Sequence, residues 1–257
     1  MSFFNEVAIG SPRNRGLLIP EEQVIDVIIE HGENNAVYKS LYLYDEEAKE
    51  YFKIRKTLKD FIGKRYIKNV LIDIDKGQDS DQHTLNKTKG VLFELEELNV
   101  SPESYQVFFS GTGYHIMISG EVFNFPSGNK DLPFIVKETM NNLFSEIDLA
   151  VYNRTSIYRC RDTLNQKSSL YKIPLSYSEI QNLSFEDIHR MAASRRHYFV
   201  ENIWGDGELE DKIAMTVPKI RTMESSVEPK NIVPCVQKMY SLGPEKGSRN
   251  NTMMRIA

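Results

Sequence analysis

Cysteine is nearly absent: the chain of 257 residues carries two, Cys160 and Cys235. Two thiols are too few for a disulfide framework or an all-cysteine zinc site, and they fit a reduced, intracellular setting. Long apolar runs are missing as well. No segment approaches roughly 18 consecutive apolar residues, and the opening MSFFNEVAIGSPRNRG has no apolar core of signal-peptide length. The expectation is a cytoplasmic protein, neither secreted nor embedded in a membrane. An excess of positive charge is also lacking. At a net charge of −4, any contact with nucleic acid must come from local clusters of cations. There is no internal repeat and no low-complexity segment. The length, with 40% apolar and 26% charged residues, suits one large soluble domain, or one with a fragment of another.

From about residue 36 a rhythm of strands and helices can be read. AVYKSLYLYD alternates like a half-buried strand. EEAKEYFKIRKTLKDFIGKR predicts a helix, with Tyr51, Ile54, Leu58 and Ile62 at three- and four-residue spacing. NVLIDID is a strand, DSDQHTLNKTKGVLFELEEL a helix begun by Asp or Ser, and YQVFFSGTGYHIMIS a hairpin around a glycine turn. DLPFIVKETMNNLFSEI reads as another helix; SIYRCR and LYKIPLS are extended, and SFEDIHRMAA is helical. These elements define a first domain over residues 1–195. Residues 196–232, interrupted by Pro218 and Pro229, read as a linker. Residues 233–257 read as the start of a small helical module, whose last helix reaches Ala257 with no cap and so looks truncated.

Three places carry chemistry. In VLIDID, Val70, Ile72 and Ile74 share one face of the strand, while Asp73 and Asp75 project from the other. Two carboxylates that close repel each other, and a hard divalent cation such as Mg²⁺ or Mn²⁺ would relieve this. On its own the pair equally fits two solvated acids at a strand's end. In FFSGTGYHIMIS, the Gly111-Thr112-Gly113 turn can bring backbone N–H groups close to an anion. His115 follows on the face opposite Tyr114, Ile116 and Ile118. A plain hairpin with an incidental histidine is the competing account. The third place begins at Asp148, after an apolar helix end, as a possible third carboxylate. Beyond it Arg154, Arg159, Arg161, Lys167 and Lys172 stand against a single acid, Asp162. In an acidic protein that concentration points to a polyanion, although a solvated loop would also account for it. Arg159 and Arg161 share a face if SIYRCR is extended.

In order and wording these motifs resemble the archaeo-eukaryotic primase superfamily, above all its primase-polymerase branch in phages, plasmids and eukaryotes. Asp73 and Asp75 match the family's Asp-x-Asp strand. Ser110, Gly111, Gly113 and His115 match Ser-Gly-x-Gly-x-His. Asp148, and then Arg159, Thr163, Asn165 and Lys167 in RCRDTLNQK, match a third motif, in which Arg161 and Asp162 replace the usual Pro-Gly. The resemblance covers residues 30 to 190. It implies an α+β fold, an RRM-like antiparallel sheet flanked by helices, followed by a small helical module. The implied activity is that of a DNA primase or primase-polymerase: template-directed nucleotidyl transfer from NTPs or dNTPs to start and extend primers. Two divalent ions, Mg²⁺ or Mn²⁺, would be held by Asp73, Asp75 and Asp148. The nucleotide would meet Ser110, Gly111, Gly113, His115, Arg159, Arg161, Asn165 and Lys167. The implied partners are a single-stranded DNA template, the nucleotide, and a helicase domain beyond the C-terminus. The implied origin is a phage or plasmid in a bacterial host.

Two other classes share parts of this pattern. A glycosyltransferase also holds a metal with Asp-x-Asp, but has no use for SGTGYH followed by RCRDTLNQK. A non-catalytic replication initiator could keep the fold and bind single-stranded DNA without clustering three carboxylates. Template contacts are weakly marked. Arg13, Arg15, Lys64, Arg65 and Lys68 fit a solvated face better, and Tyr105 and Trp204 fit core packing better than base stacking. His83, His189 and His197 have no partner that can be read from the sequence.

Overall fold

The computed structural model describes residues 2–196. The expected linker and helical module, with Trp204 and Cys235, lie outside the described residues.

Two four-stranded sheets and a short ribbon organise the described chain, all with antiparallel pairing. The first sheet contains β1 (Phe4–Ile9), β2 (Arg15–Pro20), β3 (Val37–Ser40) and β7 (Ile157–Arg159), in the order β2-β1-β3-β7. The second contains β4 (Asn69–Ile74), β5 (Tyr105–Phe109), β6 (Tyr114–Ser119) and β10 (Ile173–Leu175), in the order β10-β5-β6-β4. A ribbon of β8 (Leu164–Asn165) and β9 (Leu170–Tyr171) links β7 to β10. The helices are α1 (Val24–His31), α2 (Glu46–Arg55), α3 (Asp81–Glu97), α4 (Leu132–Leu143), α5 (Tyr177–Asn182) and α6 (Phe185–Met191). The α+β class holds: antiparallel sheets flanked by helices. There are two large sheets, however, where one was expected. β1, β2 and α1 come from the N-terminal stretch, ahead of residue 36 where the expected rhythm of elements begins.

Local chemistry explains where the helices start. Asp45 caps α2 by accepting from the N–H groups of Glu47 and Ala48; Ser80 caps α3 by accepting from that of His83. α3 then lays Leu85, Val91, Leu92 and Leu95 on the second sheet. The expected helix over residues 46–65 stops at Arg55, because Lys56 takes a left-handed conformation, φ 55°. Two of its supposed core positions, Ile54 and Ile62, are exposed, while Leu58 and Phe61 reach the core from the turn that follows. Arg65 holds that turn together. Its guanidinium is fully buried and donates to the carbonyls of Phe61 (2.6 Å), Gly63 (2.9 Å) and Arg154 (3.1 Å). A cation so enclosed cannot reach a template, so the grouping of Arg65 with Lys64 and Lys68 as one solvated cluster does not hold. Tyr105 is buried in the core, as expected.

The edge of β4 positions the chemistry. Beyond it runs a single turn, Leu149–Tyr152, where another strand could have paired. The Asp148 N–H donates to the Asp73 carbonyl (3.1 Å), and the Tyr152 hydroxyl to that of Leu71 (2.6 Å). These bonds satisfy part of the open edge and carry Asp148 next to Asp73.

Candidate functional site

Within β4, Val70, Ile72 and Ile74 are buried, whereas Asp73 is half-buried and Asp75, just past the strand's end, is exposed. The alternation read from VLIDID is therefore observed. With Asp148 tied alongside, Asp73, Asp75 and Asp148 each offer one carboxylate oxygen, and these lie within 4.8 Å of one another. The group could hold a metal ion, and three hard oxygen donors are the chemistry that Mg²⁺, Mn²⁺ or Ca²⁺ takes. Burial above all, then the neighbouring Asp75 and Asp148, push the Asp73 carboxyl up to about 7, against the pull of Lys172 and Arg159. A buried carboxyl beside two further carboxylates is thus held partly protonated near neutral pH, even with Lys172 and Arg159 nearby.

Register brings the glycine turn to the same place. Asp73 pairs with His115 across β4 and β6, and Phe108 pairs with His115 across β5 and β6. The imidazole Nε2 lies 3.5 Å from Asp73 Oδ1. Burial, followed by the charges of Lys172 and Arg159, lowers the His115 pKa well below its ordinary value, so the ring is neutral and the contact is not an ion pair. Gly113 is required by close approach, since a Cβ there would stand 2.4 Å from the Ile74 carbonyl oxygen. Gly111 adopts φ +91°, and a Cβ would meet Ser168 Oγ at 2.8 Å and Asn165 Nδ2 at 3.1 Å. Ser110 closes the turn: its hydroxyl oxygen accepts from the Gly113 N–H at 3.2 Å, so that N–H is not free for an anion.

The basic stretch arrives from the first sheet. Arg159 ends β7, packed beside Tyr38 of β3. It is 7% exposed, yet its Nε has no hydrogen-bond partner, an uncommon condition for a buried cation. Asn165 donates to the Ser110 carbonyl at 3.4 Å, which docks the 165–168 loop on the glycine turn. Lys167 is exposed at the tip of that loop, and its N–H donates to Asn165 Oδ1.

These pieces line one cavity of about 410 Å³. Asp73, Asp75, Ser110, His115, Arg159, Asn165 and Lys167 border it, so most of the residues singled out in three separate stretches converge. Thr112 represents the turn on the wall in place of Gly111 and Gly113. Asp148 joins through the carboxylate group rather than the wall. Arg161 is the exception: β7 ends at Arg159, Asp162 turns into the left-handed region, and Arg161 is not part of the lining. Sharing a face with Arg159 required an extended segment that ends two residues earlier.

Sequence reading missed several walls. Gly10, Ser11 and Pro12 form the β1–β2 turn on the cavity's rim, and Tyr38 of β3 and Leu41, just past its end, line it as well. The string Gly-Ser-Pro-Arg-Asn is a turn signal that could have been read; its distant destination could not. Lys172 was counted among the cations without a role. It is 1% exposed, with Nζ 2.8 Å from His115 Nδ1 and donating to the Arg159 carbonyl oxygen at 2.8 Å.

No model of a known protein family matches the chain, and neither does any curated protein.

Proposed function

We propose that the chain is a nucleotidyltransferase of the primase-polymerase kind, which joins NTPs or dNTPs on a single-stranded DNA template. One observation carries the reading. One cavity has in its lining members of the carboxylate group and a buried guanidinium with an unpartnered donor. A nucleoside triphosphate with divalent cations is complementary to both at once. The likeness of the motifs to the archaeo-eukaryotic primases adds to this. So does the run β4–α3–β5–β6 in one antiparallel sheet, which the RRM-like catalytic fold of that family would need.

In this reading Asp73, Asp75 and Asp148 would hold two Mg²⁺ or Mn²⁺ ions, whose chemistry when bound would be to lower the pKa of the attacking 3′ hydroxyl and to neutralise charge on the leaving pyrophosphate. The chain's own cations do the rest. Arg159 and Lys167 clamp the phosphates, the neutral His115 donates from Nε2, and the 165–168 loop sets the triphosphate in line. Arg161 has no part in the clamp.

Purified protein with Mn²⁺ or Mg²⁺, a single-stranded template and NTPs or dNTPs, but no primer, is expected to make short oligonucleotides. The double variant Asp73→Ala, Asp75→Ala is expected to lose this entirely. Comparing NTPs with dNTPs over several templates also gives the sugar preference and any start motif. Full synthesis by the double variant overturns the metal assignment. Nucleotide binding that ignores metal points instead to a binding protein, and turnover of a nucleotide sugar without template points to glycosyl transfer.

A further inference from the structure

Lys172 is a nearly fully enclosed cation, 1% exposed, and the proposed chemistry leaves it unused. It follows β9 directly and is not part of the cavity lining. Four groups surround its ammonium: His115 Nδ1 at 2.8 Å, the Arg159 carbonyl oxygen at 2.8 Å, and the ring faces of Phe108 and Tyr158 at 4.9 and 5.2 Å. One buried group therefore touches the residue that ends the glycine-turn motif and the arginine that ends β7. No other described contact joins those two so directly.

We infer that Lys172 is a positioning residue: it holds His115 in the tautomer whose Nε2–H faces the cavity, and anchors the backbone of Arg159 beside it. In its charged form Lys172 carries three donors and no acceptor, so with the ammonium present Nδ1, 2.8 Å from it, is the accepting nitrogen of the imidazole. The ring proton is then on Nε2. That nitrogen points toward Asp73 Oδ1, 3.5 Å away, and toward the space where an anion would sit. The opposite tautomer would present a lone pair to that anion and repel it. The same ammonium, bonded to the Arg159 carbonyl, fixes the end of β7 and with it the guanidinium whose Nε lacks a partner. Burial above all, then the charge of Arg159, lowers the Lys172 amine from 10.5 to about 7, so the ammonium that makes these contacts is the form present below that value; the two aromatic faces favour it. What His115 does with its proton rests on the polymerase reading; the tautomer does not.

Nitrogen-15 NMR of ring-labelled histidine in the full chain tests this directly, with His115→Gln identifying the signals. In the wild type at pH 6, where the Lys172 amine is charged, Nδ1 of His115 is expected to resonate as the unprotonated nitrogen and Nε2 as the proton-bearing one. Lys172→Met keeps the apolar stem in its aromatic cage and removes every donor. It is expected to shift His115 toward the other tautomer, or a mixture, and to weaken binding of inorganic tripolyphosphate roughly tenfold, the worth of one hydrogen bond to a charged group. A proton on Nδ1 in the wild type overturns the inference, and so do unchanged His115 signals in Lys172→Met. The NMR in the wild type needs no variant to fold. Wild-type protein with the Nε2–H tautomer that binds tripolyphosphate but makes no template-dependent product supports the role of Lys172 while sinking the polymerase reading.

Discussion

Asp73 determines the conditions under which the carboxylate group takes a cation. In the metal-free protein its carboxyl titrates at about 7 instead of 3.8. Between those values the folded chain keeps a proton that the unfolded chain has lost, so this group makes stability fall as pH rises from about 4 to about 7, and the loss persists above. A divalent ion must displace that proton. Its affinity should therefore rise up to about tenfold per pH unit below pH 7 and level off beyond it. Calorimetric titration with Mn²⁺ at pH 6 and pH 8 checks this, and equal affinities would contradict the crowding of the three acids. Asp73→Asn should abolish metal binding. At pH 8 it should also make the metal-free protein more stable, by at most on the order of 4 kcal/mol, the full value of three pKa units. The pair Asp73 and Asp75 was legible because strand periodicity is local. The opposite fates of Arg65 and Arg159 were not. Both are buried arginines, but three carbonyls give each guanidinium nitrogen of one a partner while the other keeps an unpartnered Nε, and only tertiary neighbours decide which.

The glycine turn is the element that joins the two halves of the cavity, and its two glycines do different work. Gly113 allows the hairpin to approach β4, whereas Gly111 gives room to the 165–168 loop. Gly113→Ala drives a methyl group into the backbone of Ile74, next to Asp75, and cannot be relieved by a rotamer change. It should lower thermal stability markedly and disturb metal binding. Gly111→Ala meets the ends of side chains, Ser168 and Asn165, but in a left-handed conformation that costs an alanine about 1 kcal/mol. It should leave metal affinity near normal and weaken tripolyphosphate binding, since the loop that carries Lys167 must move. Thermal melts with and without Mn²⁺, followed by titration of each ligand, separate the two; equal effects on metal would refute the division. Elements with strong signals, such as α3 with its serine cap and the β5–β6 hairpin, were read nearly to the residue. α2 was read too long because apolar spacing continued through Leu58 and Ile62, and nothing local announced the left-handed Lys56. β7 was followed two residues too far for the same reason, which is what placed Arg161 in the site.

At the scale of the molecule, the cavity belongs to neither sheet alone. Asp73, Asp75 and His115 stand on the second sheet, Arg159 and Tyr38 on the first, and the β1–β2 turn completes the rim. Such a junction leaves no periodic mark in the sequence, because what joins its walls is long-range pairing between segments that are each unremarkable. Sequence motifs therefore named the residues of the site but neither its second sheet nor its enclosing turn. The arrangement makes a prediction about how ligands act. A divalent ion touches only the carboxylate group, so on its own it should slow amide exchange around Asp73, Asp75 and the Asp148–Tyr152 turn, and little elsewhere. In the proposed function, a nucleoside triphosphate added with the ion would span from those acids to Arg159 and Lys167, binding both sheets to one object. Protection should then extend to β7, to the 165–168 loop and to the Gly10–Pro12 turn. Local opening of those segments would have to break ligand contacts as well as their own. Hydrogen exchange followed by mass spectrometry, with Mg²⁺ alone, with nucleotide alone and with both, reads these segments separately. If nucleotide and ion together protect no more than the ion alone, the ligand does not bridge the sheets, and the cavity is not its binding site.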